Sequence, residues 1–114
     1  AIKLVKELYR ILKPGGVLRI SVPSLEIYTN YYLNSIIPSE KFKMWNNCRS
    51  EAMWNLAFNY GHNCFYDYEL LSKIVMETNF KKINESSFNK SKKNELNIDD
   101  PGRQWESLYI EVTK

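Results

Sequence analysis

The sequence predicts an α/β domain with one three-stranded mixed sheet, ordered 17–22, 107–113, 80–88, with the middle strand antiparallel to both neighbours. Three observations carry this. First, an amphipathic helix over 2–12 stops at Pro14-Gly15-Gly16 and feeds a short β-branched stretch, VLRISV. A helix delivering such a strand is the second half of a βαβ unit. Second, a helical stretch after Asp67 leads into another strand at 80–88. Third, 107–113 alternates cleanly, with Leu108, Ile110 and Val112 on one side and Tyr109 and Glu111 on the other.

In the first helix, Ile2, Val5, Leu8 and Leu12 form an apolar stripe at spacings of three and four. Lys6, Glu7, Arg10 and Lys13 form the polar face, and Lys13 suits the helix C-terminus. Gly15 or Gly16 takes the positive φ that reverses the chain. The 17–22 stretch carries only Arg19 and Ser21 as polar residues, which suits an interior strand covered on both faces, and Pro23 ends it. Ser24 is placed to cap a helix over SLEIYTNYYL, where Tyr28, Tyr31 and Tyr32 make an aromatic surface. After Pro38, Ser39 caps a longer helix with Phe42, Trp45, Ala52, Met53 and Leu56 on one side. The stretch NYGHNCF, 59–65, is a loop pivoting on Gly61. Asp67 caps the next helix, whose buried stripe is Leu70, Leu71, Ile74 and Val75, and Asn79 ends it in the left-handed conformation. Residues 89–105 form a polar loop around Lys90, Lys92 and Lys93.

The chain has 114 residues, 44% hydrophobic and 14% aromatic, enough for one packed domain. A net charge of +3 is too mild to argue for nucleic acid or an anionic membrane. No apolar run approaches the roughly 18 residues of a membrane span, and no signal-peptide pattern opens the chain. Cys48 and Cys64 are compatible with one disulfide, but reduced thiols in a cytoplasmic protein are the expectation. One histidine gives no zinc pattern, so no metal site is expected.

Three segments in this order, LYRILKPGGVLRISVPSLE, YGHNCFYDYELLSKIVMETNFKKI and RQWESLYIEVTK, resemble the C-terminal half of a class I, Rossmann-like, S-adenosylmethionine-dependent methyltransferase. They are similar to that family's fifth strand with its preceding helix, its last helix with strand six, and its closing strand seven. The resemblance implies the distal half of a doubly wound sheet, in the order 5-7-6, over residues 1–114, with a helical insert at about 25–58. It implies that the parent protein transfers a methyl group to an unidentified acceptor. The family's usual Pro-Asp after strand five is Pro23-Ser24 here, and its usual Gly before the strand-six Phe is Asn79. In the family a Gly-rich loop after strand one and an acidic residue at strand two hold the cofactor. The glycines here are 15, 16, 61 and 102, and no such loop exists. The expectation is therefore that the N-terminal cofactor half is absent, that S-adenosylmethionine belongs to the parent protein, and that this chain has no cofactor-binding residues and is inactive alone.

Within that frame His62 is the catalytic candidate, a general base beside the strand ends or else a histidine that orders its loop through backbone hydrogen bonds. Pro23, Ser24 and Tyr28 follow the strand where the family's substrate contacts fall. Arg103 and Glu106, just before the last strand, either bind a carboxylate or phosphate or pair with each other. Trp45, Trp54 and the tyrosines read as packing within the core or insert rather than as a stacking platform. A noncatalytic half-fold that assembles with a partner chain is the alternative function. The 17–22 strand lacks a neighbour on its outer side, so a two-fold dimer through this edge and the first helix is expected.

Overall fold

The computed structural model describes residues 1–114. Helix α1, Ile2–Ile11, leads through a Pro-Gly-Gly turn to strand β1, Val17–Pro23. Gly15 takes φ +74°, and a Cβ on Gly16 would lie 2.8 Å from the Lys13 carbonyl, so both glycines are required. The insert follows as α2, Leu25–Asn34, α3, Glu40–Trp45, and α4, Arg49–Trp54, which runs on into a π-helical turn, Asn55–Asn59. Helix α5, Tyr68–Met76, precedes strand β2, Lys82–Ser86, and strand β3, Ser107–Thr113, closes the chain.

The strand order is β1-β3-β2, with β3 in the middle and antiparallel to both neighbours. Order and middle-strand direction follow the sequence reading. The sheet is not mixed, however: β1 and β2 run the same way but never touch, so every bonded pair is antiparallel. Strand β2 is also shorter than 80–88. Phe80 is buried in the core ahead of the strand, and the chain leaves the ladder after Ser86.

One face of the sheet carries the core. Leu108, Ile110 and Val112 meet Val5 of α1, Leu71 and Val75 of α5, and Phe80. The opposite face is polar, and the 87–105 segment covers it rather than a helix. At its centre the Arg19 guanidinium, 6% exposed, donates to both Asp99 carboxylate oxygens at 2.9 and 2.6 Å, to Glu111 at 3.0 Å, to Ser86 Oγ at 2.9 Å and to the Ser87 carbonyl at 2.7 Å. The polar loop is thus strapped to the sheet by a saturated cation. Asn89 and Asp99 close it by exchanging backbone-to-side-chain bonds. Strand β1 is an edge strand, not an interior one. Its β3-facing residues are even-numbered, as the Lys114 N–H to Gly16 and Ser24 N–H to Glu106 bonds show, so Val17, Arg19 and Ser21 point their backbone groups outward.

The insert has its own apolar cluster: Tyr28, Tyr31, Phe42, Ala52 and Leu56, with Trp105 reaching in from the loop before β3. Together the two clusters give a body 45 Å long and 22 Å thin. The helix expected from Ser39 onward is broken. Ser39 does cap α3 through Phe42 N–H, but Asn46 takes extended backbone at φ −137°. Buried Asn46 donates to the Phe42 carbonyl and accepts from Asn55, which also donates to the Trp45 carbonyl. The break turns Trp45 out to solvent. Trp45 and Trp54 are both more than half exposed, so the expectation that they pack in the core or insert is corrected.

Candidate functional site

Antiparallel pairing brings the C-terminal end of β1 beside the N-terminal end of β3, with Pro23 opposite Ser107. There the chain turns from strand to helix with no glycine. Ser24 instead closes the turn three ways. Its N–H donates to the Glu106 carbonyl at 2.7 Å, its hydroxyl accepts from Ile27 N–H at 3.3 Å as the cap of α2, and it forms a bridge with Tyr66. The turn therefore fixes α2 against the segment that carries Glu106.

One helical turn into α2, the Tyr28 hydroxyl, on a residue 2% exposed, donates to Glu106 Oε2 at 2.6 Å. The other carboxylate oxygen accepts from Arg103 Nη1 at 2.7 Å. Glu106 is 3% exposed, and both its oxygens are held. Burial, reinforced by the Glu106 carboxylate, pushes the Tyr28 hydroxyl well above the ordinary phenol range. It stays a donor at any working pH. The bond to Glu106 likewise raises Arg103 above the usual guanidinium value. About half of the Arg103 side chain remains exposed, lying over the Tyr60 ring at 5.6 Å. Tyr60 in turn meets His62 at 6.1 Å and Trp45 at 6.5 Å.

These groups line an open cleft of about 330 Å³, formed by Ser21, Val22, Pro23, Tyr60, His62, Arg103, Glu106 and Ser107. Four of the six residues expected from sequence, Pro23, His62, Arg103 and Glu106, line it directly. Ser24 and Tyr28 lie buried behind it and hold Glu106 in place. Arg103 and Glu106 do pair with each other, which was one of their two expected roles. His62 is half-buried and its imidazole makes no hydrogen bond within the chain, so it does not order its loop that way.

Four lining residues, Ser21, Val22, Tyr60 and Ser107, were missed from sequence. Tyr60 sits beside Gly61, whose φ of +67° turns the loop back over the cleft, and that glycine was the available signal. Ser21 and Ser107 become neighbours only through the β1–β3 register, which no local pattern encodes. Tyr109 lies between Ser21 and Ser86 in the register, under the Arg19 guanidinium, with a buried hydroxyl that has no partner. Burial raises its pKa above the ordinary phenol value.

The site offers one unbonded imidazole, one half-exposed guanidinium and two serine hydroxyls around a polar floor. It can orient a small oxygenated molecule and move a proton at His62. No group of His, Cys, Asp and Glu is arranged to hold a metal ion, and Cys48 and Cys64 are separate exposed thiols. The residues do not fit S-adenosylmethionine. The one strand-to-helix turn at this end, Pro23-Ser24, has no glycine-lined cradle, and its backbone N–H groups are bonded to Glu106 and Tyr66. No helix is long and apolar enough to cross a membrane. Comparison with protein-family models, with curated proteins and with solved structures finds no match.

Proposed function

We propose that these residues are the acceptor side of an S-adenosylmethionine-dependent methyltransferase, with the cofactor held by another segment of the parent protein. The observation that carries the reading is convergence. Pro23, His62 and the Arg103–Glu106 pair, far apart in the sequence, meet at the C-terminal end of β1, where open α/β sheets bind ligands. The β1-β3-β2 order, with an antiparallel strand between two that run the same way, agrees with the 5-7-6 end of that fold.

In this reading Arg103 orients the methyl acceptor, using donors left free by Glu106. His62 accepts the proton that an acceptor hydroxyl gives up. Tyr28, Ser24 and Glu106 are positioning residues: they fix the guanidinium and touch no substrate. A cytoplasmic location belongs to the same proposal. The alternative of a noncatalytic module has its own support, because the chain carries no cofactor cradle and its β1 edge is open.

The test is labelled-methyl transfer by the gene product that carries these residues. His62→Ala is expected to lower turnover by about 100-fold or more, the usual worth of a general base, with cofactor binding retained. Wild-type turnover in the His62→Ala or the Arg103→Ala variant would contradict the assignment.

A further inference from the structure

The chain has four arginines, Arg10, Arg19, Arg49 and Arg103. A guanidinium can grip a carboxylate side-on, with Nε and Nη2 each donating to one oxygen. Arg10 sets that edge on Glu7, with Nε at 3.0 Å and Nη2 at 2.6 Å. Arg19 sets it on Asp99, at 2.9 and 2.6 Å. Arg103 does not. Its buried partner Glu106 accepts from Nη1 instead, at 2.7 Å, and Nε and Nη2 have no partner in the chain. No second carboxylate comes within salt-bridge distance of Arg103. Asp100, the other acid near it, is turned to the Gly102 N–H at 2.7 Å. Arg49 also leaves this edge free, but it opens α4 at an exposed position and lines no part of the cleft.

The free edge belongs to a guanidinium that is already held in place. Glu106, buried, is fixed in turn by the Tyr28 hydroxyl, and the Tyr60 ring lies against the guanidinium. The Arg103 backbone is pinned as well. Its carbonyl accepts from Ser107 Oγ at 2.7 Å, and its N–H donates to the Asp100 carbonyl at 3.0 Å. A ligand therefore meets a pre-ordered pair of donors, and little side-chain entropy is lost on binding. Both Glu106 oxygens already accept hydrogen bonds, so the cleft presents cationic donors and no free carboxylate.

We propose that the Nε–Nη2 edge of Arg103 is a carboxylate-binding subsite, and that the molecule taken into the cleft carries a carboxylate. Calling that molecule the methyl acceptor rests on the functional reading above; the subsite does not. Charge favours a carboxylate over a phosphate. Arg103 is the one Arg or Lys among the eight lining residues, and Glu106 lies against it. A carboxylate brings a single charge to a single guanidinium. A phosphate monoester brings about 1.5 to 2 negative charges, more than this cleft offsets. Arg103 is then a specificity-determining residue, one that selects monoanionic ligands by their two coplanar oxygens.

The Arg103 Nε–H resonance reads this edge directly. Acetate is titrated into the isotope-labelled 114-residue chain in cold, mildly acidic buffer, with chloride holding the ionic strength constant. The Arg103 Nε–H is expected to move downfield and to saturate in the millimolar range. The Arg49 Nε–H, equally free but outside the cleft, is the control and should move less and without saturation. Acetamide, the same shape without the charge, should move neither. Arg103→Lys keeps the charge and removes the fork, and should abolish the saturable acetate shifts at the His62 and Ser107 amides. An Arg49 shift that saturates like that of Arg103 would overturn the inference, since anions would then be drawn to any arginine. So would an Arg103 signal that acetate leaves in place, or inorganic phosphate binding more tightly than acetate. Labelled-methyl transfer by the gene product separates the two readings. Acetate binding without transfer supports the subsite and contradicts the acceptor role. Transfer without acetate binding contradicts the subsite alone.

Discussion

Arg19 shows how much one side chain can organise. Its guanidinium holds two carboxylates, a hydroxyl and a carbonyl, and so binds the longest loop to the sheet. The bond from Arg19 keeps the Asp99 carboxyl below its ordinary value of 3.8. A depressed carboxylate adds stability that is complete above its unfolded pKa and disappears as pH falls through the folded one. Urea unfolding should therefore show a stability plateau above about pH 5 and a decline below the ordinary Asp value. Asp99→Asn should cost about 3 kcal/mol at neutral pH, because it leaves a buried cation under-compensated, and should flatten the acid decline. An unchanged acid profile in that variant would place the acid sensitivity elsewhere. The sequence marks Arg19 as a lone charge in an apolar strand, but its partners lie 80 and 92 positions away and no local pattern links them. Local chemistry is legible at this scale. Ser24, Ser39 and Asp67 cap the helices expected of them, and Gly15 and Asn79 take positive φ. The Lys114 amine does what was expected of Lys13, donating to the Tyr9 and Leu12 carbonyls at 2.7 Å each. Only the β1–β3 register brings it there.

At the scale of elements, the sequence pattern located the three strands and helices α1, α2 and α5, but it merged α3 and α4 into one helix and read the short turn at Asn94–Leu96 as loop. The stripe from Phe42 to Leu56 looks continuous because Phe42, Ala52 and Leu56 do share one cluster. They reach it from two short helices. Side-chain amides of Asn46 and Asn55 replace the helical bonds lost between them. Asparagine competes for backbone groups in this way, which lowers its fitness for helix interiors. Asn46→Leu should therefore destabilise the chain by about 1–3 kcal/mol, since it strips partners from the Phe42 carbonyl and from Asn55 in a buried position. Chemical denaturation followed by tryptophan fluorescence checks this, and a neutral or stabilising result would mean that α3 and α4 tolerate one continuous helix. Strand β2 falls short for a related reason. Phe80 is spent on the core, packing edge-on against Tyr9 at 5.0 Å, and leaves only Lys82–Ser86 for the ladder.

At the scale of the whole molecule, two apolar clusters sit side by side, and the cleft forms where the segment before β3 joins them. Trp105 enters the insert cluster, and Glu106 clamps α2 and Arg103. Most of the candidate site was legible because Pro23, Ser24, Arg103 and Glu106 lie in two short segments, at the end of β1 and just before β3. Tyr60, Ser21 and Ser107 were not, because a loop reversal and a strand register put them there. The central claim is that these 114 residues shape an acceptor site and leave the methyl donor to another segment of the parent protein. Equilibrium dialysis with labelled S-adenosylmethionine, run in parallel on this chain and on the full gene product, tests that most directly. The account predicts saturable micromolar binding to the gene product and none to the chain. Binding of equal strength to both, or to neither, would contradict it.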